Sequence, residues 1–204
     1  MEEQTKKIIV ATGNEGKMKE IRQILGDENI IFSSLRDENL QDVEIIEDGK
    51  TFEENAIIKA RKISDITGQM VLADDSGLEV DYLDKAPGIY SARYMGEDTP
   101  YSVKNKHIIE LLDGVEEEKR SARFVCAMAC AFPDGHTITT VGTIEGRIGY
   151  EEKGTNGFGY DPIFYVPEFG CTTSELLPEE KNKVSHRGKA LVAMYEELKK
   201  EKVL

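Results

Sequence analysis

Apolar positions alternate along this chain between short unbroken runs and helical stripes. Residues 7–11 form a short apolar strand, and residues 16–25 place Met18, Ile21, Ile24 and Leu25 on one side of a helix. Thr51-Phe52-Glu53-Glu54 has the form of a capping box and opens a helix that Gly68 stops. The run Met70-Val71-Leu72-Ala73 reads as a buried strand ending at Asp74. Residues 99–112 read as a helix, residues 121–132 as a long strand, and Pro133-Asp134-Gly135 as the hairpin turn into a strand over 136–143. A last helix starts near Ser185 or His186, with Ala190, Leu191, Met194, Tyr195 and Leu198 at helical spacing. Helices interleaved with long hairpin strands, without repeats or linkers, predict an α/β (mixed α+β) fold around a mixed sheet.

With 204 residues and 39% hydrophobic content, the chain can bury a full core as a single domain, or as a core with a lobe. No apolar run approaches the roughly 18 residues of a membrane span. Met1-Glu2-Glu3 is too acidic for a secretory signal, so a soluble, cytoplasmic protein with no membrane partner is expected. Cys126, Cys130 and Cys171 are odd in number and lack zinc-type pairing, as expected of free thiols in a reducing compartment. The segment 123–132 is apolar on both faces except at Arg123, which predicts a buried central strand and a packing role for Cys126 and Cys130. The net charge of -13 argues against a nucleic-acid partner. It leaves room for a small anion at local basic clusters: Lys17, Lys59 with Arg61 and Lys62, and residues 181–189. Each cluster also fits a solvated helix face.

The candidate chemistry starts at Asp74-Asp75-Ser76-Gly77, directly after an apolar run. Adjacent carboxylates repel and are costly to desolvate, so they call for a hard cation such as Mg2+, or else form an Asx turn capping the strand. Thr12-Gly13-Asn14-Glu15-Gly16-Lys17 joins a strand to a helix, where backbone N–H groups, a helix dipole and a lysine meet. Phosphate fits there, as does an ordinary glycine turn with a surface lysine. The spacing is not that of a Walker A loop. The segment 154–162 holds three glycines with Phe158, Tyr160 and Asp161, suiting either a ligand loop with a stacking aromatic or a tight turn with core aromatics. Ser185-His186-Arg187-Gly188, with Lys181 upstream, offers donors to an anion or carbonyl, or a serine cap beside a solvated arginine.

In this order the segments closely resemble the inosine triphosphate pyrophosphatase family, enzymes that hydrolyse non-standard purine nucleoside triphosphates. The resemblance runs over nearly the whole chain: residues 11–14 through Lys17, Thr51-Phe52 with Glu54-Asn55-Ala56, residues 73–78, Ala86-Pro87-Gly88-Ile89-Tyr90-Ser91-Ala92-Arg93-Tyr94, residues 157–162 and Ser185-His186-Arg187. It implies one domain over 1–204, an elongated mixed β-sheet flanked by helices in two lobes with a central cleft, and a homodimer. By similarity, Asp75 accepts the proton of the attacking water and binds Mg2+, with Glu47 and Asp74 as further metal ligands. Thr12, Gly13, Asn14, Glu15, Gly16 and Lys17 would hold the triphosphate, with Ser76 and Lys59 as further contacts. Phe158, Gly159, Tyr160, Asp161, Lys181, His186 and Arg187 would hold the nucleoside and its base.

The implied reaction cleaves between the α and β phosphates of ITP, dITP or XTP, leaving the monophosphate and pyrophosphate. Selectivity would rest on a keto oxygen at purine position 6, where adenine carries an amino group that meets a donor with a donor. Two other readings stand beside it: a Maf-type pyrophosphatase of other modified nucleotides, which would share the phosphate and metal logic but not Phe158 to Asp161 or His186-Arg187, and a nucleotide-binding sensor that uses the cleft without turnover.

Overall fold

The computed structural model describes residues 6–26 and 30–203; Met1-Glu2-Glu3, whose acidity bears on targeting, lie outside the described residues. β1 (Lys6–Val10) leads to α1 (Glu15–Leu25), β2 (Ile30–Ser34), α2 (Phe52–Thr67) and β3 (Val71–Val80). Then come α3 (Tyr101–Leu111), β4 (Ser121–Ala131), β5 (Thr137–Ile148), β6 (Phe164–Val166), β7 (Cys171–Thr172), α4 (Pro178–Val184) and α5 (His186–Lys200). The strands pair in the order β2-β1-β3-β4-β5-β6-β7, with β1 parallel to β2 and β3, and β6 antiparallel to β5 and β7. The fold is mixed α/β, as the hydrophobic pattern predicts.

The chain divides into two compact units. The first takes the described residues through Asp75 with 126–142 and 187–203; the second takes 76–125 and 143–186. Ile8 and Val10 of β1 pack in the first core with Met18 and Ile21 of α1, Leu72 of β3, Met128 of β4, and Leu191 and Met194 of α5. The second core gathers Leu78, Val80, Ile108, Phe124, Ile148, Ile163 and Phe164. Burying each such large aliphatic or aromatic side chain contributes roughly 1.5–3 kcal/mol.

Both helices near the acids have explicit starts. Asn14 caps α1, its Oδ1 accepting the Lys17 N–H at 3.1 Å, so the helix begins at Glu15. Thr51 caps α2 by accepting the Glu54 N–H at 3.1 Å, and Gly68 closes the helix at φ 64°. The capping box is only half formed: the Glu54 carboxylate takes the N–H of Lys50, one residue upstream of the cap.

The largest departure from expectation is β3. It does not end at Asp74 but runs to Val80, because Leu78 and Val80 are fully buried and extend the strand into the second core. Asp74 and Asp75 therefore sit within a strand, which excludes an Asx turn at that point. β5 likewise extends to Ile148, beyond the predicted hairpin partner. Cys126 and Cys130 are fully buried in β4, the fourth of seven strands, and burial pushes both thiols up to about 12. Cys171 is half-buried, and all three thiols are free.

Candidate functional site

Successive residues of a strand face opposite sides of the sheet, and this alternation separates the two acids. Asp74 meets cations from α1 and α5: Lys17 Nζ lies 2.9 Å and Arg187 Nη2 3.4 Å from its Oδ2. Arg187 also pairs through Nη1 with Glu20 of α1. Asp74 is 2% exposed. Burial alone would raise its carboxyl, but Lys17, Arg187 and Lys59 together hold it well below the ordinary carboxylate range. Arg187 is likewise kept protonated, Asp74 and Glu20 outweighing the cost of its burial.

Asp75 turns to α2. Asn55 and Lys59 lie one turn apart on that helix and face the same way. Asn55 Nδ2 donates to Asp75 Oδ2 at 3.0 Å, while Lys59 Nζ lies 3.6 Å from Asp75 Oδ1 and 3.2 Å from Glu47 Oε2. The Asn55 side chain is fully buried, and its Oδ1 accepts the Gly49 N–H at 2.9 Å, fixing the segment that carries Glu47. Burial raises the Asp75 carboxyl, with Lys59 and Asn55 opposing it only in part. Lys59 shifts the other way from a buried lysine's habit: desolvation disfavours its charge, but Asp75, Asp74 and Glu47 more than restore it.

Glu47 and Asp75 thus converge on a single ammonium, so the pair fits a hard cation that takes one or two carboxylates and keeps its remaining positions for water and phosphate oxygens. Asp74 acts on the same ammonium through its charge, while its Oδ2 pairs with Lys17 and Arg187. Among the described residues no group of three His, Cys, Asp or Glu side chains is arranged to hold a metal ion.

The Thr12 to Lys17 turn has the strand–turn–helix geometry expected of it. Thr12 Oγ1 accepts the Asn14 N–H at 3.1 Å, and Thr12, Gly13, Asn14 and Glu15 line a cavity of about 290 Å3 with Met18, Ser34, Leu35, Arg36 and Gln41. Gly16 is half-buried, and Glu15 is an exposed side chain 3.9 Å from Arg36. Of the other basic residues, Lys62 is exposed and Arg61 pairs with Asp65, an ordinary helix face.

The second unit holds the other group. Asp161 is buried and accepts three hydrogen bonds at 2.8 Å, from the Phe158 N–H, Thr173 Oγ1 and Lys181 Nζ. It is the anchor of the glycine loop. Gly157, at φ 75°, lies so close that a Cβ there would stand 2.2 Å from Asp161 Oδ2. Tyr160 is a core aromatic, 3% exposed, whose hydroxyl donates to the Ser91 carbonyl at 2.7 Å. Phe158 is the exposed aromatic of the loop, with Lys181 Nζ 5.0 Å from its ring centroid. Gly159 offers its carbonyl to Asn105. His186 is buried and stacks on Phe124, centroids 4.8 Å apart. Ser76 is half-buried on β3.

The structure therefore brings together Asp75, Glu47 and Lys59, and separately Lys17, Asp74 and Arg187; in the second unit it joins Phe158, Asp161 and Lys181. Arg187 is neither a solvated side chain nor a free donor, since two carboxylates hold it. Glu20 and Asn55 escaped the sequence reading as site residues. Asn55 had a usable signal, an amide one helical turn before a lysine in a segment otherwise filled with apolar and charged residues.

Comparison with known proteins finds relatives over most of the chain. The profile of the Ham1 family matches residues 8–197. The chain is 50% identical over 185 residues to a dITP/XTP pyrophosphatase of Exiguobacterium sibiricum, covering 91% of this chain and 93% of that protein. It is 51% identical over 186 residues to a dITP/XTP pyrophosphatase of Bacillus licheniformis, with 91% and 94% covered. A HAM1 protein from Coxiella burnetii has a TM-score of 0.86 at 41% identity, covering 96% of this chain and 99% of that one. The Ham1 protein of Staphylococcus aureus gives 0.86 at 38% identity, with 96% and 100% covered. A profile matched from β1 to α5, with relatives at half identity and structures that share the fold, means that the chain belongs to the Ham1 family.

Proposed function

We propose that the chain is a nucleoside triphosphate pyrophosphatase that hydrolyses dITP, XTP and ITP to the monophosphate and pyrophosphate, clearing them from the nucleotide pool. The state of Asp75 carries the proposal: a buried carboxylate, raised by desolvation, with one oxygen tied to Asn55 and the other facing Lys59 beside Glu47. Raised carboxylates in fixed settings are what general bases require. The relatives at about half identity bear the name dITP/XTP pyrophosphatase, which supports the substrate class.

In this mechanism Asp75 takes the proton of the attacking water. Lys59 and Lys17 offset charge on the phosphates, and the turn from Thr12 to Lys17 binds the chain of phosphates through its backbone N–H groups. Glu47 and Asp75 would hold Mg2+, which supplies charge neutralisation on the phosphoryl oxygens. Asp74 holds Lys17 and Arg187 in place. Phe158 offers a ring for the base to stack on, worth roughly 1–3 kcal/mol by analogy with single-strand binders. Lys181 and His186 are the donors for a 6-keto purine, which an adenine amino group cannot satisfy. The two compact units are taken as lobes of one domain, and the chain as a cytoplasmic homodimer without a nucleic-acid partner. No helix among the described residues is long and apolar enough to cross a membrane.

The test is a panel of dITP, XTP, ITP, GTP and ATP at fixed Mg2+ with product identification. Monophosphate and pyrophosphate from the first three are expected. Diphosphate and orthophosphate would move the attack to the terminal phosphorus and overturn the mechanism, and binding without product would leave a sensor.

A further inference from the structure

The segment 86–94 stands out in the sequence, yet the site described above draws on it only through the Ser91 carbonyl. In the structure it crosses the second unit as a hydrogen-bonded strut. Ser91, 4% exposed, donates from Oγ to the Gly88 carbonyl at 2.6 Å and accepts the Leu78 N–H of β3 at 2.9 Å. Its carbonyl takes the Tyr160 hydroxyl at 2.7 Å, and the next carbonyl, Ala92, takes Lys104 Nζ at 2.6 Å. Lys104 is 1% exposed, so its ammonium is a buried, committed latch.

We propose that Ser91 is a positioning residue that couples the nucleoside loop, through Tyr160, to β3 at Leu78, three residues after Asp75. The proposal rests on the pyrophosphatase function proposed above. Tyr160 is buried and its hydroxyl is spent on the strut, donating to the Ser91 carbonyl. A loop anchored in this way is tied, within the second unit, to the later half of the strand whose earlier residues include Asp75.

Tyr160→Phe and Ser91→Ala, singly and combined, test it by kcat and KM for dITP and ATP and by amide hydrogen exchange of the unliganded protein. Each single variant should lower the dITP-to-ATP ratio of kcat/KM by about 3- to 10-fold, the rate equivalent of one buried hydrogen bond. The double variant should be no worse than the poorer single one, because both bonds act through one element. In exchange, Tyr160→Phe should speed the amides of 157–161 and also those around Leu78. Faster exchange confined to the loop, or an additive loss in the double variant, or lower thermal stability with an unchanged dITP-to-ATP ratio, would each overturn the strut. Absence of pyrophosphate release by the wild-type protein would instead sink the proposed reaction, and the exchange arm would still decide the coupling.

Discussion

Asn55 Nδ2 donates to Asp75 Oδ2 at 3.0 Å, while the Oδ1 of the same amide accepts the N–H of Gly49. One buried side chain therefore sets both the orientation of the β3 acid and the path of the segment bearing Glu47. Gly49 is the residue that permits this approach, since a Cβ there would lie 2.7 Å from Asn55 Oδ1.

Asn55→Ala should lower kcat by about 10- to 100-fold, the usual effect of losing a group that orients a ligand or base. It should also cost about 1–3 kcal/mol of stability, because buried polar partners lose their hydrogen bonds. Urea unfolding and steady-state kinetics measure the two effects. A stability loss with unaltered kcat would reduce Asn55 to a structural role.

Asp75→Asn separates catalysis from stability. Removing the base should cut kcat at least about 100-fold. The folded-state carboxyl of Asp75 lies above its ordinary value of 3.8, with burial as the cause. The folded state therefore binds that proton more tightly than the unfolded state, and stability falls as pH rises through the folded value. In the metal-free protein the ionised form of this acid is the less stable one to bury. Asp75→Asn should hold or raise Tm in EDTA, and a clear fall in Tm would mean that the Lys59 pairing outweighs the burial.

Asp74 has the opposite sign. Its folded-state carboxyl is held below the ordinary 3.8 by Lys17 and Arg187, which overcome the burial that would raise it. Its contribution to stability is present above pH 3.8 and lost as pH falls through the lower folded value. Asp74→Asn should flatten the acid limb of Tm against pH in metal-free buffer. Arg187→Ala should destabilise by about 3–5 kcal/mol, since it breaks a buried ion pair and leaves the fully buried Asp74 carboxylate with one cation fewer. It should lower dITP and ATP turnover alike; a selective loss on dITP would return Arg187 to reading the base.

The contrast between these acids also marks what the sequence could disclose. Apolar spacing located β1, α1, α2, α3 and α5 to within about two residues, because each buries a periodic face. β2, β6, β7 and α4 went unread: they are short, with at most a few apolar positions each, and gain their order from pairing or packing with neighbours. At the site, the residue types in Asp74-Asp75 were legible, but their division of labour was not. Strand alternation sends the two carboxylates to opposite faces, which becomes visible only once β3 is known to continue past them. Phe158 and Asp161 were marked from the glycines and aromatics of 154–162, and Lys181 separately, as a basic residue upstream of His186. That Asp161 is their anchor and Tyr160 a core residue required the hydrogen bonds.

Gly157→Ala tests that anchor from the outside. Glycine is required there twice over: φ is 75°, a left-handed conformation costing other residues roughly 1–2 kcal/mol, and a Cβ would stand 2.2 Å from Asp161 Oδ2. The carboxylate would have to move, and with it the Phe158 N–H, Thr173 and Lys181 that it holds. Binding of the monophosphate product should weaken at least about 10-fold, the equivalent of losing one charge-assisted hydrogen bond. Inorganic pyrophosphate, which takes its contacts from Lys17 and the Thr12 turn in the proposed mechanism, should bind as in the wild type. Calorimetric titration of inosine monophosphate and pyrophosphate measures both. Equal weakening of the two would mean that the loop supports the phosphate site as well, and undisturbed binding of both would remove the Asp161 anchor from nucleoside recognition.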